Sequence, residues 1–196
     1  MSTHSSIGIL ELDGSITAIY CHSDGYFSWN GEKLFNHYNS EALARELVGM
    51  GFCSILYETI GEKHDFSWME SFKRIAGETN ENFWARRDAD PRAKMSRFYK
   101  RDRGDDDMEV ERFADLAEFE AHAERYAYLW DMHRGAWIGQ DSNVGDWHLL
   151  SDLAVANWGE PRDNESGPPA VPAIPALADN HPVIDEEDEL LARALF

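Results

Sequence analysis

Apolar and polar residues alternate with the period of a β-strand at the start of the chain. IGILEL (7–12) and ITAIYCH (16–22) are β-rich runs joined through Asp13-Gly14, a pair that tolerates positive φ, and together they predict a hairpin. A helical stretch is expected around residues 32–38. Ser40 is an N-cap for ALARELVGM (42–50), in which Leu43, Leu47 and Val48 share one face and Gly49 or Gly51 ends the helix. FCSILYETI (52–60) then has the composition of a strand.

The middle of the chain is less periodic. FSWMESFKRIAG (66–77) suggests a short helix with Trp68, Met69, Phe72 and Ile75 along one side, and ARRDADPRAK (85–94) suggests a loop. MSRFYKRDRG (95–104) and MEVERF (108–113) suggest a second hairpin across the acidic Gly104–Asp107 turn. Asp115 is placed to cap DLAEFEAHAERY (115–126), where Leu116, Phe119 and Ala123 share a face. YAYLWD and GAWIG form a third hairpin around residues 132–135, and DWHLLSDLAVANW (146–158) is expected as a closing helix. The pattern predicts an α+β domain over residues 1–158, with antiparallel hairpins forming a sheet packed against several helices. A linker holding six of the seven prolines follows at 159–182. An acidic amphipathic tail follows at 183–196, with Leu190, Leu191, Leu195 and Phe196 as partner anchors.

Charge changes this picture from fold to partner. Thirty-seven acidic residues against eighteen basic ones give a net charge of −19. Such a surface repels nucleic acid and anionic membrane, and attracts basic protein surfaces. The acids are densest at 101–125, where ten stand against four arginines. Asp102, Asp105, Asp106, Asp107, Glu109, Glu111, Asp115 and Glu118 are the expected partner-binding residues. Two cysteines, Cys21 and Cys53, fit a reduced, cytoplasmic setting rather than a disulfide scaffold. The N-terminus shows no basic region ahead of an apolar run, so no secretory leader is expected.

Chemistry-bearing motifs are sparse. IYCHSDGYFSWNG (19–31) brings Cys21, His22 and Asp24 close in sequence, but strand alternation points Cys21 and His22 to opposite faces. The simplest reading makes Cys21 a core residue, pairs His22 with Asp24 at the strand end, and packs Tyr26, Phe27 and Trp29 over the hairpin. The tryptophans at 68, 84, 130, 137, 147 and 158 lie in apolar segments and are expected mostly in the core. No zinc-site spacing, calcium loop, phosphate loop or nucleophile elbow occurs, so no metal, cofactor or catalytic residue is expected.

Three segments, STHSSIGILELDGSITAIYCHSDGY, FYKRDRGDD and ERYAYLWDMHRGAWIG, carry a resemblance. They resemble a family of small phage, prophage and plasmid proteins of no settled activity. The resemblance spans roughly residues 2–60 and 95–139. His4 stands where that family usually has arginine, Ser23 where it has tryptophan, and Lys100 where it has histidine. It implies origin on a mobile element in a bacterial host. Two functional readings follow. The favoured one is a non-enzymatic, acidic inhibitor of a host nucleic-acid-binding defence protein, such as a CRISPR or restriction complex, acting by nucleic-acid mimicry in the host cytoplasm. The alternative is a small enzyme or ligand-binding protein with His22 and Asp24 beside Arg101, Asp102 and Arg103 in a cleft between hairpins.

Overall fold

The computed structural model describes residues 2–159. The expected linker beyond Gly159 and the tail anchors Leu190, Leu191, Leu195 and Phe196 lie outside the described residues. The first hairpin forms as expected, from β1 (Ser5–Leu10) and β2 (Ile16–Cys21) in antiparallel register, Ser5 opposite Cys21 and Leu10 opposite Ile16. Gly14 takes φ +86 in the turn, which is why glycine, with no Cβ to clash, stands there. The hairpin of β6 (Tyr126–Asp131) and β7 (Ala136–Asp141) also forms. Its β6 lies parallel to β1, so the two hairpins fuse into one mixed, eight-stranded sheet.

The middle segment departs from expectation. β3 is only Cys53–Ile55, because Gly51 at φ +79 enters it and the chain leaves the ladder after Ile55. The predicted hairpin of 95–104 and 108–113 does not form. β4 (Arg97–Phe98) pairs with β3, whereas β5 (Glu111–Phe113) pairs with β2. A tight turn over Tyr99–Arg103, closed by Gly104 at φ +88, sends the two strands to different neighbours. The outer edge of β2 is therefore shared, Ile16–Ala18 with β5 and Cys21 with Cys53 of β3. Beyond β7, β8 (Trp147–Leu149) occupies the first part of the expected closing helix.

Helices cover the sheet on two faces. The first face packs Ile7, Ile9, Ile19, Cys21, Cys53, Tyr128 and Trp130 against three helices. These are α1 (Glu32–His37), α2 (Glu41–Gly49) and α6 (Leu150–Val155), which contribute Leu34, Leu47, Val48, Leu150 and Leu153. Ser40 caps α2 by accepting from the Leu43 N–H at 3.3 Å, as its position predicts, but Leu43 itself points outward and is 39% exposed. Short helices α3 (Trp68–Ser71) and α4 (Asn80–Asp88) follow β3. α4 takes in the first four residues of the expected loop, 85–88, because Thr79 supplies a cap and Arg86 and Arg87 sit in its last turn, favourable at a helix C-terminus. Trp68 is buried as expected, while Ile75 and Trp84 are exposed. Trp84 is covered on one side by the Arg87 guanidinium, 4.4 Å from its ring centre.

The second face packs Leu10, Ile16, Ala18, Ala127, Leu129, Ile138 and Trp147 against Phe119 of α5 (Leu116–His122). Asp115 and Glu118 form a reciprocal cap there. The Asp115 carboxylate accepts from the Glu118 N–H, and Glu118 accepts from the Ala114 N–H. Phe119 is the helix's one wholly buried side chain, and burying it contributes about 1.5–3 kcal/mol. The same face carries Ser6, Tyr20, His4 and His22 at its other end, beyond the Phe119 cluster.

Candidate functional site

The segment after β2 is built by close backbone approach. The Gly25 N–H donates to the Thr3 carbonyl at 2.8 Å, and Tyr128 donates its phenol to the Gly25 carbonyl at 2.7 Å. A Cβ on Gly25 would lie 2.4 Å from the His4 carbonyl oxygen, so only glycine fits. Asp24 takes φ 55 to enter this turn, and its carboxylate accepts from the Tyr26 phenol at 2.9 Å. His22 instead pairs through Nδ1 with the Tyr20 phenol at 2.8 Å. The expected His22–Asp24 pair is thus replaced by two separate tyrosine contacts, because the turn carries Asp24 away from the strand line.

Cys21 points to the opposite face, as alternation requires, and is fully buried beside Cys53. Asn30 is buried with them. Its amide donates to Ser5 Oγ at 2.9 Å, to the Ser23 carbonyl at 3.3 Å and to Cys21 Sγ at 3.5 Å, while its carbonyl oxygen is without a partner. Burial pushes the Cys53 thiol well above its ordinary range. Hydrogen bonds with Cys53 and Asn30 draw the Cys21 thiol below its ordinary range against the effect of its own burial, and both cysteines are packed and shielded from solvent.

Arg101 and Asp102 are brought together as a structural clip. The Arg101 Nε and Nη2 donate to the Asp102 carboxylate at 2.7 and 2.8 Å. Its remaining donors go to the carbonyls of Ile60, Gly61 and Ser96, and its guanidinium sits 5.0 Å over the Phe98 ring. Asp102 also accepts from the Phe98 and His64 N–H groups at 2.9 and 3.3 Å, with its side chain 0% exposed. Burial works to raise the Asp102 carboxyl, but Arg101 and the two backbone donors outweigh it and hold it below the usual carboxylate range. Every N–H of Arg101 is used internally, so this pair ties β4 to the chain after β3 rather than meeting a ligand. Arg103 pairs with Asp105 and stacks on Tyr99 and Phe66.

The acidic segment divides by role. Asp105 and Glu109 are offset by Arg103 and Lys100, Asp102 is consumed in the clip, and Asp115 and Glu118 cap α5. Glu120 accepts from the Trp147 indole N–H at 2.7 Å. The side chains of Asp106, Asp107 and Glu111 are exposed and make no hydrogen bond or ion pair with the described residues, although the Asp106 charge, after Glu109, helps to raise Lys100. None of Asp106, Asp107, Glu111, Asp115, Glu118 and Glu120 faces a Lys or Arg within ion-pair distance among the described residues. Residues 105–124 hold nine acids against Arg112 alone, while eleven of the eighteen basic residues fall between 58 and 104.

Sequence reasoning missed His4 and Glu124. The hairpin register sets partners whose numbers sum to 26, and one step beyond Ser5–Cys21 places His4 across from His22. Their rings lie 4.8 Å apart, and His4 Nδ1 lies 3.7 Å from Glu124. The turn length of the first hairpin was the signal that predicts this pair.

Among the described residues, no three His, Cys, Asp or Glu side chains converge as a metal centre, and no helix is long and apolar enough to cross a membrane. Comparison with family models, with curated proteins and with solved structures found no match for the chain.

Proposed function

We propose that this protein is an acidic binding protein of a phage or similar mobile element that occupies the basic, nucleic-acid-binding surface of a host defence protein and inhibits it. The observation that carries the reading is the uncompensated charge of residues 105–124, where six carboxylates lack a cationic partner on an exposed turn, strand and helix. Like charges held close on a folded scaffold repel one another. They are relieved when a basic surface docks on them, as when a polyanion is bound. Nucleic-acid mimicry is the form this takes, in the cytoplasm of a bacterial host.

The reading is sharper than the sequence made it. Asp102, Asp105 and Glu109 leave the contact set because internal cations already hold them. Asp106, Asp107 and Glu111 become its centre, flanked by Asp115 and Glu118. The alternative, an enzymatic cleft of His22, Asp24, Arg101, Asp102 and Arg103, is disfavoured by the same geometry, since Arg101 and Asp102 spend their hydrogen bonds on each other and on the backbone.

Affinity capture from bacterial lysate with the full chain tests the proposal. The expected result is a nucleic-acid-binding protein that is released as salt rises from about 0.1 M to about 1 M, where the Debye length falls from about 10 Å to about 3 Å. Capture of no such protein, or capture indifferent to salt, overturns it.

A further inference from the structure

The uncovered end of the second sheet face holds the structure's one cross-strand imidazole pair among the described residues. His4 and His22 stand one position beyond the end of the β1–β2 ladder, where the same register continued sets them across from each other on the face of Tyr20. Their ring centres are 4.8 Å apart with planes inclined by 30°. Two imidazoles sharing one tetrahedral metal ion, each at an N–metal distance of about 2.0–2.1 Å, have ring centres about 5 Å apart. The observed spacing is close to that value.

The partners of the rings point the same way. His22 Nδ1 is held by the Tyr20 phenol at 2.8 Å, and His4 Nδ1 faces the Glu124 carboxylate at 3.7 Å. His22 Nδ1 is thus hydrogen-bonded, His4 Nδ1 stands at ion-pair rather than hydrogen-bond distance from Glu124, and neither Nε2 has a partner among the described residues. A carboxylate or phenol oxygen on the far ring nitrogen is the arrangement that fixes the tautomer and orientation of a metal-ligating histidine. Tyr20 is itself braced by Phe52, 5.8 Å from its ring.

We propose that His4 and His22 form a two-imidazole site for a borderline divalent cation such as Zn²⁺, bound through both Nε2 atoms, with Tyr20 and Glu124 as positioning residues. The remaining coordination positions go to water or to a side chain of a bound partner. Imidazole nitrogens select this class of ion over Mg²⁺ and Ca²⁺, which prefer oxygen ligands. The site lies outside the acids proposed to meet the host protein, so its test is independent of that reading.

Titration of the full chain with Zn²⁺ by calorimetry, with ¹⁵N spectra of the imidazoles, is the experiment. One equivalent is expected to bind and to shift the Nε2 signals of two histidines. His4→Gln and His22→Gln, which keep side-chain bulk at an exposed sheet end, each abolish the shift, and His37→Gln leaves it unchanged. Tyr20→Phe, which keeps the ring packing, weakens Zn²⁺ binding about 10–100-fold, the usual effect of removing a ligand's outer partner. No binding at about 1 mM Zn²⁺, an isotherm unaltered by His4→Gln and His22→Gln, or equal competition by Mg²⁺ each overturns the proposal.

Discussion

Replacing Asp102 by alanine removes the centre of the clip that anchors β4. The substitution strands the Arg101 guanidinium, 14% exposed, and leaves the Phe98 and His64 N–H groups without their acceptor. Breaking a buried ion pair from one side costs about 3–5 kcal/mol, because the surviving charge stays desolvated. Part of that is recovered here, since Arg101 keeps the carbonyls of Ile60, Gly61 and Ser96. The expected loss is therefore near the lower figure, about 3 kcal/mol. Urea unfolding followed by tryptophan fluorescence measures it as a shift in midpoint at constant slope. Asp102→Asn keeps an acceptor for one backbone donor and is expected to fall between wild type and alanine. A loss below about 1 kcal/mol for Asp102→Ala, the level of a surface ion pair, refutes the assignment of this pair as a buried clip.

Four further outcomes follow from the same structure. Because the Asp102 carboxyl is held below its unfolded value of about 3.9, its contribution is present above that pH and disappears as pH falls through the folded value, so the stabilities of wild type and Asp102→Asn converge as the solution is acidified through that range. Gly25→Ala drives a Cβ into the His4 backbone and costs about 3 kcal/mol or more by denaturant melts, with a well-tolerated substitution contradicting the close approach. Both thiols stay unreactive toward an aromatic disulfide reagent in the folded protein and react together on unfolding, and rapid labelling of native Cys21 or Cys53 contradicts their burial. Asp115→Asn retains the cap of α5 within a few tenths of a kcal/mol while Asp115→Ala costs about 1 kcal/mol, so thermal melts of the two separate capping from charge.

The parts of the fold legible in the sequence are those fixed by local rules. Asp13-Gly14 and the alternation around it defined the first hairpin, and Ser40 and Asp115 marked helix starts through their own side-chain oxygens. The β6–β7 hairpin was equally plain. Long-range pairing was not. Nothing local in Met108–Phe113 says that β5 should join β2 rather than the neighbouring β4, since that choice depends on Gly104 and on how β2 divides its edge. α4 escaped notice because its nine residues bury no side chain, so the apolar period was missing.

The candidate sites followed the same division. Strand alternation separated Cys21 from His22 correctly. The His22–Asp24 pair failed because Asp24 enters a left-handed conformation, one that an Asp-Gly pair such as Asp24-Gly25 tolerates but does not dictate. Counting acids located the charged segment but not its usable surface. Capping, ion pairing and burial are side-chain roles that appear only once neighbours from elsewhere in the chain are in place. His4 was hidden for a different reason: its partner lies eighteen positions away, visible only through the hairpin register.

The central claim is that a nucleic-acid-binding host protein is occupied through Asp106, Asp107 and Glu111. The most direct measurement is a competition titration, in which a labelled oligonucleotide bound to the captured host protein is displaced by this chain and followed by fluorescence anisotropy. Displacement is predicted at one-to-one stoichiometry, with Asp106→Asn, Asp107→Asn and Glu111→Gln together slowing association about tenfold or more. A ternary complex that keeps the oligonucleotide bound, or displacement unaffected by the three substitutions, contradicts the account.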